Sequence, residues 1–218
     1  MSRSASKPAR KPGRPTHGEE AGRRDGLLEA ALGAFLRNGF DGTSLDDIAR
    51  AAHVAKRTIY DQFGGKEGLF AACIDRAARG LIGEFPSAEQ TVSDLRRDLE
   101  AIGCTVLAYV LKPRSLAIYR LVVGESARQP TLARLFYENG PARVIASVAG
   151  LLERSMEPDS SGQKEFGILA RDFVGLVILE IQQRTVLGVV ETLGRPEIEA
   201  HVASKVESFL AALPRRAP

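Results

Sequence analysis

Tryptophan is absent from this 218-residue chain, which holds only 2 cysteines and 3 histidines. Each scarcity excludes something. Cys73 and Cys104 sit in apolar, helix-like contexts without CxxC spacing, so neither a disulfide framework nor a zinc site is encoded. Reduced thiols in a cytoplasmic protein are the expectation. His17, His53 and His201 are scattered and have no partner at metal-ligand or triad spacing, and no glycine-rich loop follows a strand signal. No metal, no cofactor and no enzymatic activity are therefore expected. The longest apolar run, around Phe173 to Leu179, falls far short of the ~20 residues of a membrane span. The N-terminus has positive charge with no apolar stretch behind it, so no membrane partner and no secretion are expected.

A large excess of one charge is missing too: 30 Lys and Arg against 27 Asp and Glu leave a net charge of only +3. The distribution is uneven, however. The first 24 residues hold Arg3, Lys7, Arg10, Lys11, Arg14, Arg23 and Arg24 against Glu19 and Glu20, so the remainder is slightly acidic. Residues 1–22 are rich in Ser, Pro, Gly, Lys and Arg and cannot bury enough apolar surface to offset their ordering entropy, which predicts a flexible basic arm.

From Asp25 the pattern becomes helical. Leu28, Ala31, Leu32, Phe35 and Leu36 recur at three- and four-residue spacing until Asn38-Gly39 stops them. A second helix opens at Ser44, where Ser44-Leu45-Asp46-Asp47 has the form of a capping box, with Asp47 reaching back. After His53-Val54-Ala55 comes a third, Lys56 to Phe63, with Ile59 and Phe63 inward and the other side polar. Gly64-Gly65 ends it. Three short helices supply too little core to stand alone, so the helix from Lys66 must pack on them. Further apolar-periodic segments run to Leu213, their ends marked by Pro86, Pro113, Pro130, Pro141, Pro158 and Pro196. No strand signal competes, and the fold class is all-α. The division expected is arm 1–22, helix-turn-helix domain 23–70 and helical effector-binding and dimerisation domain 71–218.

A helix-turn-helix lays its second helix in the major groove and needs an apolar inner face with a polar outer one. Lys56 to Phe63 has both, and Arg57 suits the two acceptors on a guanine edge. Thr43 and Lys66, at the starts of flanking helices, are placed for phosphates, with Ser44 beside them. A plain solvated corner of a helical bundle is the alternative on this pattern alone. The runs Phe40-Asp41-Gly42-Thr43-Ser44-Leu45-Asp46-Asp47-Ile48-Ala49 and Val54-Ala55-Lys56-Arg57-Thr58-Ile59-Tyr60-Asp61-Gln62-Phe63-Gly64-Gly65-Lys66-Glu67-Gly68-Leu69-Phe70 resemble the DNA-binding signature of the TetR family. The resemblance implies that Thr43, Lys56, Thr58, Tyr60 and Lys66 hold the DNA backbone while Arg57, Asp61 and Gln62 face bases. It gives Ile48, Val54, Ile59 and Phe63 to the core. One departure stands out: the family usually starts the recognition helix with serine, and here Ala55 leaves that cap missing.

The stretch from Arg120 through Pro130 to Arg143 is similar to the C-terminal domain of AefR-like members of that family. This implies a homodimer formed through the last two long helices and a regulatory cavity for an unknown small-molecule effector. Cavity candidates are Cys104, Leu107, Ala108, Leu111, Tyr119, Val122, Phe136 and Phe173, with solid core as the alternative for each. The segment Glu165 to Val190 is apolar on two faces, Phe166, Leu169, Phe173 and Leu176 on one and Ile168, Val174, Ile178 and Ile181 on the other. Either it is buried within one subunit or a second subunit covers part of it. The interface candidates are Phe173, Val177, Ile181, Val202, Val206 and Phe209.

In the arm, Lys11-Pro12-Gly13-Arg14-Pro15 resembles the centre of an AT-hook, whose Arg enters a narrow minor groove. A non-specific electrostatic arm is the alternative for Arg14. An architectural DNA protein would spread positive charge over a large surface, which the near-neutral body does not do. The expected function is therefore a repressor that leaves double-stranded operator DNA when its effector binds.

Overall fold

A computed structural model describes residues 17–85, 94–156, 163–191 and 193–213. Among these residues there are ten α-helices and no strand. The first four are α1 (His17–Asn38), α2 (Leu45–Ala51), α3 (Lys56–Phe63) and α4 (Lys66–Ile82). The others are α5 (Leu95–Val110), α6 (Pro113–Glu125), α7 (Pro130–Asn139), α8 (Pro141–Ser155), α9 (Gln163–Val186) and α10 (Arg195–Ala212). Proline stands in the first turn of α6, α7, α8 and α10, where its missing N–H has no helical partner to lose. The helical region starts earlier than expected, because α1 already begins at His17, within the 1–22 segment. Farther along, the Arg24 guanidinium lies over the Phe63 ring at 5.0 Å.

Two hydrophobic cores organise the molecule. The first joins α1 to α4 around Phe35, Phe40 and Phe70, whose ring centroids lie 5.5–5.8 Å apart. It is completed by Ile118 and Val122 of α6 and Leu132 of α7. The N-terminal helices thus borrow core residues from well beyond residue 70, which answers their shortage of apolar volume. The second core is built from α5, α8, α9 and α10, with Phe173 and Phe209 rings 5.3 Å apart.

Between the cores, ion pairs tie helices together. Arg76 of α4 binds Asp25 at 2.8 Å, and Arg114 of α6 binds Glu29, so both hold α1. Asp75, only 9% exposed, accepts from both Arg79 and Arg143 and joins α4 to α8. No single helix among the described residues is long and apolar enough to cross a membrane.

Candidate nucleic-acid interface and regulatory cavity

The recognition helix is positioned from both ends. Its start follows a tight turn in which His53 takes φ 54, a left-handed conformation uncommon for a side chain with a Cβ. Its end is fixed by Gly64 and Gly65 at φ 75 and 131. Gly68 then allows α4 to approach closely, since a Cβ there would lie 1.8 Å from the Phe63 carbonyl oxygen. Ile59 is fully buried, with Val54 and Phe63 half-buried beside it. The opposite side, Lys56, Arg57, Tyr60, Asp61 and Gln62, is exposed, and Thr58 is half-buried at its edge. One apolar anchor line thus turns a row of donors and acceptors outward.

The exposed charges pair locally. Lys56 Nζ donates to Asp46 at 2.9 Å, which raises the lysine pKa through that hydrogen bond and the carboxylate charge. Arg57 and Asp61 face one another one turn apart at 3.4 Å. Such exposed pairs are weak in water, so both cations are free to exchange a carboxylate for a phosphate or a base edge. Ser44 caps α2 as expected, accepting from the Asp47 N–H at 3.1 Å. The reciprocal half differs: the Asp47 carboxylate accepts from the Ser44 hydroxyl, not from its backbone, and this bond together with Arg50 lowers the Asp47 pKa. Ala55 has the extended backbone of a cap, ψ 140, and makes no side-chain cap bond.

Two expected phosphate contacts are corrected. Thr43 is only 2% exposed, and its hydroxyl donates to the Ala34 and Gly39 carbonyls, so it closes the α1–α2 loop from inside. Lys66 is half-buried, donates to the Phe40, Asp41 and Thr43 carbonyls and lies over the Phe40 ring at 4.7 Å. Residue type alone did not distinguish a hydroxyl or ammonium that binds the chain's own backbone from one that binds DNA. Arg14 lies outside the described residues.

A cavity of about 430 Å³ lies between the two cores. Its walls come from Ile74, Ala78 and Leu81 of α4, Val106 and Tyr109 of α5, Ile118 and Tyr119 of α6, Phe136 and Tyr137 of α7, Val144 of α8 and Ile178 of α9. Of the expected lining residues, Tyr119 and Phe136 are there. The others are not: Leu107, Leu111 and Phe173 are buried in the second core, Val122 in the first. Cys104 lies near α10, where burial and then the Glu199 charge push its thiol up, and Ala108 is exposed. On α5 the expected face was one residue out of register, Leu107 standing for Val106. The signal that pointed inward was tyrosine, whose amphipathic ring suits a cavity wall.

The six interface candidates are corrected as well. Phe173, Val177, Ile181, Val202, Val206 and Phe209 are all at most 7% exposed within one chain, where α9 and α10 pack with α5. The uncovered face of α9 carries Ile168, Leu176 and Leu179, which are 56%, 41% and 68% exposed. Periodicity identified two apolar faces but not which one the chain itself covers.

Both parts of the chain match known proteins. Residues 27–73 match the model for bacterial regulatory proteins of the tetR family, and residues 97–213 match that for the AefR-like transcriptional repressor C-terminal domain. The flavonoid-responsive regulator FrrA is 33% identical, with a TM-score of 0.70 over 90% of this chain and 100% of that one. A TetR-family transcriptional regulator from Mesorhizobium loti is 25% identical, with a TM-score of 0.70 over 90% and 98%. The HTH-type transcriptional regulator YezE of Bacillus subtilis is 26% identical over 149 residues, 66% of this chain and 77% of that protein. With its DNA-binding helices and its C-terminal body both matched, the chain belongs to the TetR family and is a DNA-binding transcriptional regulator.

Proposed function

We propose that this regulator is a cytoplasmic homodimeric repressor whose affinity for operator DNA falls when a small molecule occupies the cavity between its cores. The observation that carries the DNA-reading half is the outward row of α3, held by the buried Ile59. In this reading Arg57, Asp61 and Gln62 face base edges, while Lys56, Thr58 and Tyr60 meet phosphates. Ser44, exposed at the start of α2, meets the backbone beside them, and Arg14 of the basic N-terminal segment adds an electrostatic contact to DNA.

The dimer uses the uncovered α9 face. Beside its apolar residues stand Arg171 and Asp172, both exposed and without an ion-pair partner among the described residues. A two-fold contact sets such neighbours against each other with opposite signs paired, which favours a second copy as the occupant. Coupling from cavity to recognition helix runs through α6. Ile118 and Tyr119 line the cavity, Ile118 and Val122 enter the N-terminal core, and Arg120 donates to the Thr185 and Val186 carbonyls at the end of α9. An effector that shifts α6 favours a geometry in which the two α3 helices no longer match successive major grooves.

Selection of bound duplexes from a random pool by the purified protein tests this. An inverted repeat bound by two protomers is expected, weakened reciprocally by any true effector. A monomer indifferent to sequence would overturn it.

A further inference from the structure

The chain has only 4 tyrosines, and three of them, Tyr109, Tyr119 and Tyr137, line the cavity. Each comes from a different helix. Ser115 and Gln182 add polar groups from α6 and α9, with Ser115 near Tyr109. Tyr119 and Phe136 meet edge to face, centroids 6.2 Å apart. The rest of the lining is aliphatic apart from Arg171, which is exposed and stands with the exposed Leu179 and Tyr137 at the mouth.

This arrangement sets three conditions on an occupant. A formal charge cannot enter the body of the cavity, because the only full charge on its lining is at the rim and desolvating an ion there goes uncompensated. Hydrogen-bonding groups must be spread along the ligand, since the wall's polar atoms are spread over four helices and not gathered at one end. A plain acyl chain satisfies none of those groups, which favours a ligand that does. The aromatic wall favours a flat ring system.

We infer that the cavity binds a flat, uncharged aromatic molecule carrying several hydroxyl or carbonyl groups. This rests on the effector cavity proposed above and gives it a ligand class. The volume of about 430 Å³ falls in the ~300–1,000 Å³ range of small-molecule sites.

The test is calorimetric titration of the full-length protein with the trihydroxystilbene resveratrol and, separately, with myristic acid. Resveratrol should bind at one molecule per protomer and at least about tenfold more tightly than myristate. Tyr119→Phe, which removes only a hydroxyl, should weaken resveratrol by about tenfold and leave myristate no weaker. Ala78→Phe, which fills the cavity, should abolish binding of both. If that variant misfolds, Tyr119→Phe and the direct comparison still decide. Myristate equal to or tighter than resveratrol, or resveratrol insensitive to Tyr119→Phe, overturns the ligand class. Myristate binding at least as tight as resveratrol and removed by Ala78→Phe would overturn that class while keeping the effector cavity, whereas no binding of either probe would overturn both.

Discussion

Ala55→Ser is a perturbation whose sign and size follow from the backbone already in place. Residue 55 has φ -72 and ψ 140, and its carbonyl accepts from the Thr58 N–H at 2.9 Å, so the first turn of α3 is formed without a side-chain cap. Eleven positions earlier the equivalent turn of α2 has one, with the Ser44 hydroxyl accepting from the Asp47 N–H at 3.1 Å. A serine at 55 therefore needs no backbone movement, and because Ala55 is exposed it displaces no packing. A good cap in place of alanine is worth about 1 kcal/mol. For a chain of this length that corresponds to a rise in Tm of about 2–4 °C. Ser44→Ala is the mirror control and should lower Tm by a similar amount. Calorimetric scans at equal protein concentration would measure both, since self-association of any protein makes its Tm concentration-dependent. An unchanged or lowered Tm for Ala55→Ser, with Ser44→Ala lowering it as expected, would refute the assignment of the α3 start.

Three further outcomes follow. Lys56→Ala should weaken binding to all duplexes alike and reduce the slope of log affinity against log salt by about one per protomer, read by fluorescence anisotropy; a change confined to one sequence would contradict a phosphate role. Ile168→Glu places a charge on the uncovered α9 face and should turn dimers into monomers by sedimentation and sharply lower operator affinity, whereas an intact dimer would move the interface elsewhere. Burial pushes the Cys73 thiol up from 9.0 to about 12, so the stability it contributes is complete below pH 9.0 and is lost as pH rises from 9.0 to about 12. Urea midpoints across that window should fall more steeply than in Cys73→Ala, and parallel curves would show that the thiol is not held out of water.

The DNA-reading module was largely legible because its constraints are local. A capping serine, a glycine pair that ends α3 and a single inward Ile59 leave one arrangement for three short helices, and the polar row on α3 then has only one direction to face. Thr43 and Lys66 were misread because a side chain suited to a phosphate is equally suited to the carbonyls of its own α1–α2 loop. Long-range packing was less legible. Along α9, Phe173 and Val177 against Leu176 and Leu179 are chemically alike, and only the positions of α5, α8 and α10 decide which set is covered. The start of α1 was missed for a different reason: residues 17–22 hold two glycines and little apolar surface, and their helix is carried by the longer segment that follows.

The reading of base edges by α3 is tested most directly by repeating the duplex selection with Arg57→Ala. The same symmetry and half-site spacing should be recovered, with preference lost at one base pair in each half-site and affinity for the original site reduced by about 1–3 kcal/mol. Recovery of an identical sequence at undiminished affinity would contradict the account.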